Sequence, residues 1–176
     1  MQDVIDGALD RRLFLWEPIL PGPHTRIVYV EKDLYEAIMQ PSAEDGFRIG
    51  ALWRDLDHFS RGEQMTVGYG SETTCRIKPL DPIADEVWEL RSRDPEPQVR
   101  VFGRFCGPNE LVATHAVFRD DLGDPSWSKW DGNRWPVEIL RCQRIWAQIF
   151  HSYPPHSGGD VHAYITSNVV EVGKLP

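Results

Sequence analysis

Arginine is the residue type through which this chain is best equipped to do chemistry. The stretch VWELRSRDPEPQVRVFGRF, residues 87 to 105, carries Arg91, Arg93, Arg100 and Arg104 in a chain whose formal net charge is −8 at pH 7. A guanidinium stays protonated at physiological pH, and its planar fork of donors matches two oxygens of a phosphate or carboxylate. Strand geometry decides where those forks point. In QVRVFGRF successive side chains alternate, so Val99, Val101 and Phe105 share one face while Arg100, Phe102 and Arg104 share the other. In TCRIKPL, Arg76 and Lys78 fall together, and in LVATHAVF, His115 falls with Val117 and, just past the strand, with Arg119. Such a sheet is apolar towards its core and cationic on its open side. The same alternation also describes an exposed face laced with Arg/Glu cross-strand pairs, and the register that separates the two is not written in the sequence.

The elements that must position these residues follow from pattern and punctuation. RIVYV, residues 26 to 30, has the β-branched and aromatic content of a strand, and EKDLYEAIMQ after it has helical spacing in Leu34, Ala37 and Ile38. Pro41 ends that helix. A second helix, with Ser42 as a candidate cap, carries Phe47, Ile49, Leu52, Trp53, Leu56 and Phe59 on one stripe and stops at Gly62. From Thr73 onwards the pattern changes to short strands. TCRIKPL, EVWELRS, QVRVFGRF and LVATHAVF are separated by turns rich in Pro, Asp, Asn and Gly, which predicts an antiparallel meander. Pro136 suits the first turn of a last helix through VEILRCQRIWAQIF. The expected fold is therefore α+β: a small twisted antiparallel sheet with helices packed on one face, and with Trp88, Leu90, Val99 and Val101 in the core. Residues 1–25 read as an N-terminal extension, 26–150 as the domain, and 151–176 as a C-terminal extension holding a strand or hairpin in VHAYITSNVVEV.

Composition bounds the function. The chain has 176 residues, 41% hydrophobic and 26% charged, which suits one globular domain. No apolar run is long enough to span a bilayer, and the acidic start MQDVIDGALDRR lacks the positive charge of a secretory signal, so no membrane partner and a cytoplasmic location are expected. Cys75, Cys106 and Cys142 are odd in number and far apart, which predicts reduced, buried thiols. The negative charge argues against whole-surface attraction to nucleic acid but leaves room for a local basic site, since charge is screened over about 10 Å at moderate salt.

One string and the order of elements resemble a known family. Two helices, the strand VWELR, then QVRVFGRF, LVATHAVFR and a closing helix opening PVEILRCQR look like the RelE/ParE toxin superfamily, in its HigB-like, phage-associated branch. The resemblance spans roughly residues 26 to 150 and is most specific at Trp88 to Arg91 with Arg100. It implies a toxin-like, ribosome-dependent endoribonuclease of a toxin-antitoxin system that acts on mRNA. It implies a cognate antitoxin of helix-turn-helix type, cleavage without a metal, and no cofactor. By the same resemblance Arg100 stabilises the phosphate, His115 exchanges a proton, and Arg119 stands near positions where the family has lysines. Arg76, Lys78, Arg91 and Arg104 are then expected to bind RNA. FRDD, residues 118 to 121, departs from the phenylalanine and lysine run of the family, and Asp120 and Asp121 lower the local positive potential. That departure favours an alternative, a non-catalytic RelE-like module that binds protein through an acidic surface.

Weaker candidates remain. His151, His156 and His162 cluster near the C-terminus without metal-site spacing and read as a loop of solvated histidines. GYGS, residues 68 to 71, reads as a turn. Trp127, Trp130 and Trp135 flank a loop, where they can stack bases or cap a core. Tyr153 follows the closing helix, where some relatives place a tyrosine near the site.

Overall fold

The computed structural model describes residues 1–9, 11–19, 21–42, 46–70, 74–124 and 132–173, the side chain of Phe47 apart. Trp127 and Trp130 lie outside the described residues. Eight strands form one sheet, in the order β1-β2-β7-β6-β5-β4-β3-β8. They are β1 (Leu13–Leu15), β2 (Ile27–Glu31), β3 (Met65–Gly68), β4 (Ile77–Pro79), β5 (Trp88–Ser92), β6 (Val99–Gly107), β7 (Glu110–Phe118) and β8 (Val169–Val172). The meander expected from the turns is present as β4-β5-β6-β7, each pair antiparallel. It is the middle of a larger sheet. Strand β2 pairs parallel with β7, and β3 pairs parallel with both β4 and β8.

Helices lie on both faces rather than one. The helices α2 (Lys32–Met39), α3 (Gly46–Ser60) and α5 (Val161–Tyr164) supply Leu34, Ile38, Leu52, Leu56, Phe59, Val161 and Tyr164 to one core, with Val28, Val30, Trp88, Leu90, Val99, Val101 and Phe105 from the sheet. All four residues expected in the core are thus in it. Alternate residues of the same strands point the other way. There α1 (Gln2–Ala8) and the C-terminal part of α4 (Trp135–Phe150) enclose Tyr29, Val112 and Cys106. The N-terminal part of α4 encloses Phe102 and Leu80 through Ile139 and Cys142. The expectation of a small antiparallel sheet covered on one side is therefore corrected to an eight-stranded mixed sheet between two helical layers. Period-two strands with apolar residues on both sides need two covers, and the chain ends supply part of each.

Residues expected to be terminal extensions are integral to this sheet. Strand β1 pairs antiparallel with β2, and α1 contributes Ile5 and Ala8 to the core beside α4. At the other end, α5 carries Tyr164 against Trp88 and Phe105, with ring centroids 4.7 and 5.4 Å away. The three cysteines are buried, and no disulfide joins any two of them. Among the described residues no helix is long and apolar enough to cross a membrane.

Candidate functional site

Strand β5 alternates cleanly. Trp88 and Leu90 enter the core, so Glu89 and Arg91 emerge on the opposite face. Register then assembles the site, because Lys78 of β4 lies opposite Glu89, and Arg100 of β6 lies opposite Arg91. Glu89 is fully buried among these cations. Its Oε1 accepts from Nε of Arg91 at 2.7 Å and lies 2.6 Å from Nη2 of the same residue. Its Oε2 lies 3.3 Å from Nε of Arg100, and Nζ of Lys78 approaches Oε1 to 4.0 Å. Arg91 also donates through Nη1 to Sγ of Cys75, and Arg100 donates through Nη2 to Oε1 of Gln98 at 2.7 Å.

Arg119 joins from the 3-10 turn (Arg119–Leu122) that follows β7. Its amide donates to the Gln98 carbonyl and its Nη1 to the Gly123 carbonyl at 2.8 Å, while the guanidinium sits 5.8 Å from the ring centre of Trp135. Trp135 opens α4, with Pro136 next in its first turn. Trp135, Pro136, Ile139 and Leu140 of α4 wall off a cavity of about 1020 Å³. Lys78, Arg91, Arg100 and Arg119 line its floor, while Asp81, Asp85, Glu96 and Asp120 also line it. Burial lowers the Arg100 pKa to about 10 and lowers that of Lys78 as well, which leaves the guanidinium charged at neutral pH. Around Glu89 itself three cations face one carboxylate, which leaves a local surplus of positive charge beside the acids of the cavity wall. Such a cluster can hold a phosphate or a carboxylate, with an apolar wall for whatever the anion is attached to.

The remaining candidates go elsewhere. Arg76 turns to α3, where Nη1 pairs with Oδ1 of Asp55 at 3.2 Å. Arg104 donates to the Asp85 carbonyl and lies over the Trp146 ring. His115 takes a different cavity, of about 520 Å³, together with Asp121. A β-bulge puts it there. Phe102 pairs with His115 but Gly103 pairs with Ala113, so Thr114 is the extra residue and His115 turns to the α4 side. Gly103 permits the close approach, since a Cβ there would stand 2.5 Å from the Val112 carbonyl oxygen.

His115 stacks on Phe102 at 4.8 Å between ring centres, and its Nδ1 lies 3.0 Å from Oγ1 of Thr114. Its Nε2 lies 3.3 Å from Oε2 of Glu138 in α4, a carboxylate that also meets Arg134 and Arg141. Burial, with help from the nearby Arg141 charge, lowers the His115 pKa to about 3, so the imidazole is neutral at pH 7. In this setting it is not poised to exchange a proton near neutrality.

Sequence reasoning foresaw Arg/Glu pairing only as a general pattern of the sheet face and missed that one carboxylate, Glu89, meets both Arg91 and Arg100 and stands beside Lys78. The signal was available, since Glu89 and Arg91 sit two apart on one strand. Glu138 and the α4 wall had no comparable signal. His156 bonds the Ala163 carbonyl through Nε2 at 2.9 Å, and Tyr153 is 47% exposed. Among the described residues no group of three His, Cys, Asp or Glu side chains is placed to hold a metal ion. No family model matches the chain, and no curated protein or solved structure matches it either.

Proposed function

We propose that the protein binds RNA by a backbone phosphate in the cavity between β4–β6 and α4, and cleaves it without a metal as a toxin-like, ribosome-dependent endoribonuclease. The supporting observation is that Lys78, Arg91 and Arg100, which gather around the buried Glu89 carboxylate, line one cavity together with Arg119. In such a cleavage the 2′-oxygen forms a bond to phosphorus while the bond to the 5′-oxygen breaks. The 2′-hydroxyl gives its proton to solvent water and the leaving 5′-oxygen takes one from it, since His115 stands in another cavity. Charge accumulates on the phosphorane oxygens, and fixed guanidinium groups stabilise it there more than in the ground state. Arg100 and Arg119 take that role. Lys78 and Arg91 hold the phosphate, and mRNA on the ribosome is the substrate, with a helix-turn-helix antitoxin as the restraining partner.

The acids at the same cavity, Asp81, Asp85, Glu96 and Asp120, favour a second reading as a non-catalytic module that docks a protein partner. Induced expression in bacterial cells, with mapping of RNA 5′-ends, separates the two. The nuclease reading expects growth arrest and new 5′-ends within translated messages. Arg100→Ala should slow cleavage on the order of a hundredfold, as loss of one preorganised donor does elsewhere. Cleavage by that variant at the wild-type rate removes Arg100 from the chemistry. Intact messages with wild-type protein favour the docking module.

A further inference from the structure

Two arginines facing each other across antiparallel strands repel, and long charged side chains normally swing out to water. Arg91 and Arg100 are such a pair, yet they are only 7% and 6% exposed. Glu89 meets both: Arg91 donates its Nε to the carboxylate at 2.7 Å, and Nε of Arg100 forms an ion pair with Oε2 at 3.3 Å without hydrogen-bond geometry. A buried ion cluster of this kind is a poor source of stability, because desolvation offsets most of the Coulomb attraction. It does have a use in recognition. Donors already fixed before an anion arrives lose little further freedom when it binds.

We infer that Glu89 is a positioning residue for the anion site, fixing Arg91 and Arg100 side by side so that they and Arg119 meet one phosphate together. This rests on the phosphodiester reading above. It also runs against simple charge counting, because a carboxylate beside a bound phosphate repels it. The sign of the effect therefore discriminates.

The experiment titrates inorganic phosphate into wild type, Glu89→Gln and Glu89→Asp, followed by calorimetry and by the phosphate-dependent rise in Tm. Glu89→Gln keeps the shape and removes the charge, and it should bind phosphate at least about tenfold more weakly, the scale of one charge-assisted hydrogen bond. Glu89→Asp keeps the charge one methylene back, so its affinity should fall between the two. It also decides the matter if the glutamine variant does not fold. Equal or tighter phosphate binding by Glu89→Gln overturns the inference, as does wild-type affinity in Glu89→Asp. A merely structural Glu89 would lower Tm in both variants and leave phosphate affinity unchanged. Wild type that shows no phosphate-dependent rise in Tm removes the phosphodiester reading itself, and the inference with it.

Discussion

Two buried carboxylates, Glu89 and Glu138, sit on the same side of the sheet and do different things. Glu89 is met by cations from three strands, two of them also buried. Glu138 is met by a neutral imidazole and by two arginines of its own helical neighbourhood, Arg134 and Arg141, whose side chains are 55% and 54% exposed. In the first region three cations are brought onto one carboxylate by strand register and locally outnumber it, which is what the proposed phosphate site draws on. In the second the acid is neutralised by flexible, solvated side chains, and the result is to fasten α4 to β7. On the phosphate reading proposed above, the immobilised cations that outnumber Glu89 are what set it apart from Glu138.

The largest expected difference between the regions is in stability. Glu89→Ala strands two buried guanidinium groups without a counter-charge, which should cost on the order of 3–5 kcal/mol. Glu138→Ala strands only a neutral histidine, because Arg134 and Arg141 already reach water. It should cost about 1–3 kcal/mol and leave phosphate binding unchanged. Chemical denaturation of the two variants measures both. Equal losses would show that Glu138 carries as much uncompensated charge as Glu89, and the contrast would fail.

A smaller effect concerns pH. The folded-state pKa of His115 lies at about 3, below the ordinary value of 6.5. As pH falls through 6.5 the unfolded chain takes up a proton that the folded chain refuses. Stability from this group is therefore complete above pH 6.5 and declines towards pH 3, below which both states are protonated. His115→Phe keeps an aromatic ring against Phe102 and removes the titration, so between pH 7 and pH 4.5 it should lose less stability than wild type. A wild type that loses less than the variant would show that Glu138 outweighs burial and holds the imidazole protonated. The second region would then be an ion pair like the first.

Much of the central sheet could be read from residue alternation, because the period of two on β5 and β6 is local. Trp88, Leu90, Val99 and Val101 enter the core for that reason, and Arg100 leaves it for the same reason. The parallel pairings were not legible, although RIVYV was read as a strand and VHAYITSNVVEV as holding one. Strands β3 and β8 are four residues each and pair with segments far away in sequence, where no turn announces the pairing. Strand β1 was hidden in what reads as a terminal extension. At the site, Arg100 could be singled out from its strand, but its meeting with Arg91 and Lys78 required the register. His115 was expected beside Arg119 because alternation was carried past the end of β7. The chain turns into a 3-10 helix at Arg119, and the two side chains enter different cavities.

The smallest effect separates two residues that alternation placed together. Arg76 and Lys78 stand two apart, yet Lys78 lies by Glu89 in the cationic cavity while Arg76 pairs with Asp55 on α3 with its side chain 43% exposed. A half-exposed pair gains little Coulomb energy in high dielectric and costs side-chain entropy, so Arg76→Ala should change stability by less than about 1 kcal/mol. It should leave phosphate affinity at the wild-type value. Lys78→Ala removes a cation from the floor of the cavity and should weaken phosphate binding measurably, because Lys78 stands next to the carboxylate that holds Arg91 and Arg100. Titration of inorganic phosphate at two ionic strengths reads both variants, with a reduced salt dependence expected for Lys78→Ala alone. If Arg76→Ala weakens binding as much as Lys78→Ala does, the anion-binding surface extends over the edge of the sheet towards α3, and the boundary drawn between the fixed cations and the solvated ones must move with it.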